Sequence, residues 1–309
     1  MTTPISYPPA GVSTVRPRVV PVRHYGQWIA VTLVIILAAK LVYDVATQST
    51  IRWEIIGARL FAEPILQGVG MTIVLTIVSM ILGVIGGVVV AIMRLSNNPV
   101  LRYTSGLFVW IFRGTPILVQ ILIWFNLALF FPTIGLFGFQ ADTNSLISPL
   151  LAAILGLTLN ECAYVSEIVR GGIQSVDKGQ VEASQALGMK QAQIMGRIVL
   201  PQAMRAILPP LGNETVTLLK ETSLVAVIGA GDLLTRAQQI GAADFSRMEM
   251  LIVASIWYLA LTTVATAFQW WLERRFDPSG TQAAGLPGFL KLFVRMRPTA
   301  TPRGGETNV

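Results

Sequence analysis

Between Glu182 and Pro201 the chain reads EASQALGMKQAQIMGRIVLP, a polar stretch set between strongly apolar ones. Its chemistry is that of docking. Ala183, Ser184 and Ala186 are small, so a helix carrying them, with Leu187, can sit low in a groove on a partner. Glu182 can pair with a basic residue of that groove. Ser175-Val-Asp177 supplies a cap for a helix starting near Lys178, with Asp177 accepting from free backbone N–H groups. Gly188 suits the left-handed position that ends it. A second helix is expected from about Lys190 to Ile198, with Leu200-Pro201 stopping it before the next apolar run. A helical hairpin that merely faces water would share this spacing.

A second set of residues has its charge where charge is costly. Asn160, Glu161 and Tyr164 fall near the middle of one apolar run. In the next, Asn213, Thr217 and Lys220 share one helical face, and Glu214, Thr217 and Glu221 share the adjoining one. Ionisable groups at membrane depth are candidates for function by default. These could line a pathway and meet a substrate's ammonium and carboxylate; alternatively they pair structurally, for example Glu161 with Lys220. Glu167 and Arg170 read as a surface pair or loop anchor. Arg113 reads as a cap of a helical elbow or a ligand of lipid phosphate rather than a substrate contact.

Other chemistries are excluded by what the sequence contains. With one cysteine, Cys162, and one histidine, His24, there is neither an internal disulfide nor a Cys/His metal cluster. None of the lysines follows a glycine, so no GxxxxGK[ST] phosphate loop is present. Only 13% of the 309 residues are charged and 53% are hydrophobic. That balance, with long apolar runs, places the chain in the membrane class. The net charge of +7 reflects Lys and Arg flanking the runs, not a separate nucleic-acid-binding domain.

The elements that must position these residues are about six transmembrane helices. Residues 1–26 read as a disordered cytoplasmic tail rather than a cleaved signal peptide. Residues 27–66 form an extra N-terminal span, about Trp28 to Tyr43, and a linker or interfacial helix. Residues 67–275 form the main transmembrane domain. Its spans lie at about Gly68–Ile92, Thr104–Phe131, Ile147–Val169, Ala206–Ile228 and Met250–Trp271, and its polar loop covers 172–205. Gly83 and Gly87 give the first of these a small-xxx-small contact face. Arg113-Gly-Thr-Pro116 breaks the second at an elbow, and Pro132–Ser145 reads as a turn. Residues 276–309 form a basic cytoplasmic tail, with a short amphipathic stretch from Phe289 to Arg297.

Sixteen basic residues fall on one side of this topology: Arg16, Arg18, Arg23, Arg94, Arg102, Arg170, Lys178, Lys190, Arg197, Arg205, Arg274, Arg275, Lys291, Arg295, Arg297 and Arg303. Four fall on the other: Arg52, Arg59, Arg236 and Arg247. Both termini are therefore expected in the cytoplasm.

The 182–201 segment resembles the EAA loop of bacterial ABC importer permeases, in which it docks onto the ATPase. Matching positions are Glu182, Ala183, Gly188, Ile198, Leu200 and Pro201; Ser184 stands where the motif has its second alanine, and Ala186 and Leu187 join the coupling set the resemblance implies. Arg113-Gly-Thr-Pro-Ile-Leu-Val-Gln120, Ala163-Tyr-Val-Ser-Glu-Ile-Val-Arg170-Gly-Gly-Ile173, Gly179-Gln180 and Lys220-Glu-Thr-Ser-Leu224 resemble the polar amino acid branch. The likeness spans about Gly68 to Arg275. It implies an all-α integral membrane fold, a five-helix core plus one N-terminal helix, in the bacterial inner membrane. It also implies ABC ATPase subunits that hold ATP and Mg, a second permease chain (homo- or heterodimer) and an extracytoplasmic solute-binding protein. No cofactor would be bound by this chain. A self-sufficient secondary transporter or channel for a small polar solute is the rival expectation, and a membrane anchor or assembly protein a second.

Overall fold

A computed structural model describes residues 25–47, 51–136 and 139–276. The tails expected at 1–26 and 276–309, and the amphipathic stretch from Phe289, lie outside these residues apart from the ends of the terminal helices. The chain divides at Ile51 into two compact units. The first contains helix α1, Tyr25–Ala46. The second holds everything that follows.

The second unit begins with a short helix, α2, Trp53–Arg59. Pro64 then sits in the first turn of α3, Glu63–Leu95, where its missing N–H has no intrahelical partner to lose. At 33 residues α3 is about 50 Å long, more than a bilayer's hydrocarbon core needs. Asn98 Oδ1 accepts from Val100 N at 2.9 Å and caps α4, Pro99–Gly114. The axis then turns by 103° into α5, Ile117–Phe125. The elbow lies at Thr115-Pro116, where the sequence expected it, because a residue before proline is pushed out of the helical region. Thr115 adopts φ −118° and ψ 145°.

The stretch expected as a turn from Pro132 to Ser145 is more regular than that. Strands β1, Thr133–Leu136, and β2, Phe139–Asp142, pair antiparallel with Thr133 opposite Asp142. The Asp142 side chain caps the one-turn helix α6, Thr143–Leu146. Ser148 caps α7, Pro149–Gln174, by accepting from Leu151 N at 3.2 Å.

Helices α8, Lys178–Ala186, and α9, Gln191–Ile194, form the polar loop. Here the structure corrects the sequence. Leu200-Pro201 does not stop the second helix. A π-helical turn over Met195–Val199 runs directly into α10, Leu200–Glu221. Leu200 N bonds to Met195 O, five residues back. Pro201 thus occupies the first turn of a helix that continues through Pro209 and Pro210.

A 3₁₀ segment, Thr222–Ile228, follows, and Gly229 and Gly231 take left-handed φ values of 69° and 84°. Asp232, fully buried, accepts from Leu234 N, Thr235 N and the Thr235 hydroxyl, capping α11, Leu233–Ala243. The sequence reading contained no helix here. The last helix is α12, Arg247–Phe276.

The core is built on α3, α7 and α10. A Cβ at Gly83 would stand 2.5 Å from Glu161 Cγ, and one at Gly87 would stand 2.7 Å from Val165 Cβ. The small-xxx-small face therefore does bring α3 and α7 together. Leu75, Ile121, Leu157, Leu218 and Val225 form one buried cluster. Ala91, Val165, Val169, Ala203 and Ile207 form another, nearer the polar loop. At the far end α2 and the residues flanking it are clasped to the end of α11 and to α12. Arg52 Nε meets Glu249 Oε1 at 2.9 Å, Arg59 Nη2 meets Asp244 Oδ2 at 2.7 Å, and Trp257 Nε1 donates to Leu60 O at 2.8 Å.

Among the described residues, α3, α7 and α12 are long and apolar enough to cross a membrane, and the bent α4–α5 pair would make a fourth span. Helix α10, expected as the fourth core span, does not qualify on its own; it carries Arg205, Glu214, Lys220 and Glu221.

Candidate functional site

Two sites emerge, joined by α10. The first is the α8–α9 loop. Asp177 Oδ1 accepts from Gly179 N at 2.6 Å, starting α8 where the sequence placed it. At the other end Gly188, φ 76°, closes the helix. Gly188 N bonds to Gln185 O at 2.9 Å and Met189 N to Ser184 O at 3.2 Å, a Schellman arrangement that satisfies the last carbonyls. Ser184 is buried and donates to Gln180 O, while Glu182, Ala183, Ala186 and Leu187 face outward. Leu187 is 83% exposed. A leucine so bare at the tip of a well-capped helix is an apolar surface awaiting cover. Ile198, Leu200 and Pro201 lie in the continuous π-to-α10 passage. Gln202 Nε2 donates to Gln180 Oε1 at 2.6 Å, fastening α8 to the start of α10.

The second site is a cleft of about 490 Å³ between α4, α7 and α10, lined by Arg113, Tyr164, Glu167, Asn213 and Glu214 among others. Asn160 and Glu161 stand behind it rather than in it. Asn160 is buried and donates to Phe112 O at 2.9 Å and to Gln120 Oε1 at 3.3 Å. Gln120 Nε2 in turn reaches Phe112 O at 2.9 Å and Thr115 O at 3.1 Å. These amides satisfy carbonyls that the α4–α5 break leaves without helical partners. Glu161 is 2% exposed, its Oε1 finds no hydrogen-bond partner, and no ion pair joins it to Lys220 among the described residues. Thr217, Lys220 and Glu221 continue α10 beyond the cleft lining.

The comparisons with known proteins match this architecture. Residues 83–278 fit the model of the family described as "binding-protein-dependent transport system inner membrane component". The chain belongs to this family.

As a permease of that family it has extensive relatives. It is 42% identical to the arginine transport system permease protein ArgU of Corynebacterium glutamicum, over 88% of each chain. It is 39% identical to the arginine transport system permease protein ArtQ of Bacillus subtilis, over 68% of this chain and 91% of the relative. Among solved structures, an amino acid ABC transporter crystallised with histidines shares 34% identity at a TM-score of 0.62, over 69% of this chain and 94% of that one. The MetNI methionine transporter in an inward-facing form, at 21% identity and TM-score 0.57, shares the fold.

The permease also shows residues that sequence reasoning left aside. Gln120 is one of them, visible in the sequence only as the end of a stretch resembling the amino acid branch. A lone amide in the run Ile117–Phe125 was the signal, since a buried amide in a membrane needs partners. Arg94 was counted only as a flanking charge. It bridges α3 to Glu167 on α7 at 2.9 Å, while Arg170 holds the other carboxylate oxygen at 2.6 Å. Glu167 and Arg170 are therefore an anchor between helices rather than a free surface pair.

Proposed function

We propose that this chain is the transmembrane subunit of an ATP-driven importer for a polar amino acid. ATP and Mg²⁺ sit in partner ATPase subunits, an extracytoplasmic binding protein delivers the solute, and a second permease chain completes the pore. The chain lies in the bacterial inner membrane with both termini cytoplasmic. The observation that carries the reading is the α8 tip. A rigidly capped helix presents bare Leu187 and Glu182 outward and is tied through Gln180–Gln202 and a continuous helix to the residues of the cleft. Closure of an ATPase dimer against two such tips would displace α10 and reopen the cleft to the other side, an alternating-access cycle. The relatives' printed names, arginine among them, support the substrate class.

The test is co-purification of partners with detergent-solubilised chain, wild type beside Glu182→Lys, read by mass spectrometry. An ATPase recovered with wild type and lost with the variant is the expected result. A stable, folded wild type that brings no ATPase would instead favour a self-sufficient transporter.

A further inference from the structure

Arg113 forms no ion pair among the described residues. It ends α4 immediately before the 103° elbow and lines the cleft at its α4 wall. Its guanidinium carbon lies 5.0 Å from the centroid of the Tyr164 ring. Beyond that stacking contact it makes no hydrogen bond and no ion pair among the described residues. Five N–H donors in a fixed fork are thus left facing the cleft, open to a ligand.

The acids nearby sort into two kinds. Glu167 lines the same cleft, but Arg94 and Arg170 already hold its two oxygens. Glu214 on the α10 wall has no ion pair or hydrogen bond among the described residues, and Asn213 beside it is likewise free. One wall therefore presents a cation and the facing wall a carboxylate, which feel each other's charge across the cleft without forming an ion pair. The cation is also held in place. Its neighbour Phe112 carries a carbonyl gripped by both Asn160 and Gln120, and Thr115 two residues on is gripped by Gln120. Tyr164 supports the guanidinium by its face and leaves the N–H edges free for a planar acceptor.

A free amino acid is a ligand with both charges on adjacent atoms, and its carboxylate fits an arginine fork through two parallel bonds. We propose that Arg113 receives the α-carboxylate of the transported amino acid while Glu214 receives its ammonium. The cleft would then select zwitterionic α-amino acids whatever their side chain. This deepens the importer reading and rests on it.

The experiment uses the purified permease–ATPase complex without the binding protein, so that the chain's own preference is measured. Calorimetry first finds which of the twenty free amino acids binds wild type, then compares that amino acid with its α-carboxamide, which keeps the ammonium and loses the anion. Wild type should prefer the acid by about tenfold or more, the scale of a charge-assisted bidentate contact. Arg113→Gln should bind the acid as weakly as wild type binds the amide, with amide affinity unchanged. Arg113→Lys should recover part of the preference. Glu214→Gln should weaken acid and amide alike and keep the preference. An Arg113→Gln complex that retains the preference, or loses both ligands in parallel as a structural or lipid-anchoring residue would, overturns the proposal. A wild-type complex with its ATPase bound that takes up none of the twenty defeats the amino acid reading itself.

Discussion

Gly83 and Glu161 meet across the α3–α7 contact so closely that no side chain fits between them. Gly83→Ala would place a carbon 2.5 Å from the Glu161 Cγ, forcing the helices apart. Overpacking of this kind costs about 1–3 kcal/mol. Thermal unfolding in detergent should show a clear fall in midpoint. Gly70→Ala on the same helix meets nothing within 4 Å and should leave the midpoint unchanged or slightly raised. Leu187 tests the opposite case, a side chain with nothing against it. Leu187→Asp should leave the unfolding midpoint within about 0.5 kcal/mol of wild type, as exposed substitutions do, yet abolish ATPase co-purification. Equal ATPase recovery would remove Leu187 from the docking surface. At this scale the sequence was legible wherever spacing along one helix decided the matter, as for Gly83 with Gly87 or Asp177 with Gly188. Arg113 was not legible, because its surroundings are assembled from α4, α7 and α10, and no single stretch of sequence shows that Glu167 is already ion-paired to Arg94 and Arg170.

Among the elements, the passage from α9 to α10 departs most from its sequence. Proline was expected to end a helix, and it does so where the lost bond would fall inside a regular ladder. Here the π turn at Met195–Val199 shifts the bonding by one residue just before Pro201, so the proline arrives as though at a helix start. No periodicity announces such a turn. The helix α11 escaped for a different reason: its 11 residues, LLTRAQQIGAA, are too few and too polar for a membrane span. The Gly229–Gly231 turn and the Asp232 cap were its only local signals. A π turn carries one residue more than an α-helix needs, and such turns gather at functional sites. Deleting Gly196, where even an added Cβ would meet nothing within 4 Å, should convert the turn to regular helix while keeping the register of both flanks. The variant should insert, bind the ATPase and unfold at or above the wild-type temperature. If the turn is the joint through which α8 moves α10, uptake should nonetheless fall at least tenfold. Undiminished uptake would make the turn a passive accommodation of Pro201.

For the whole molecule the topology of the core turns on whether α10 crosses the bilayer. By composition it is too polar to cross alone. Yet Ala203, Ile207, Leu218 and Leu219 are buried against the bundle, and Asn213 and Glu214 face the cleft rather than lipid. A helix whose polar face lines a cavity can cross without exposing charge to hydrocarbon. The topology expected from the sequence, in which α10 crosses, would put sixteen basic residues on the side of the α8–α9 loop and four on the side of α2 and α11, an asymmetry of the kind that orients membrane proteins. The argument can be tested because the only cysteine, Cys162, is 5% exposed, packed on α7 with its Sγ toward the Leu82 carbonyl. Wild type should therefore be silent to a membrane-impermeant maleimide. Lys190→Cys, in the loop before α10, should react only in inside-out vesicles. Phe245→Cys, at a position 91% exposed between α11 and α12, should react only in right-side-out vesicles or intact cells. Since α10 is the only long helix between these two positions, labels on opposite faces require it to cross. Labels on the same face would make it a re-entrant hairpin, and both the expected span count and the C-terminal orientation would have to be abandoned.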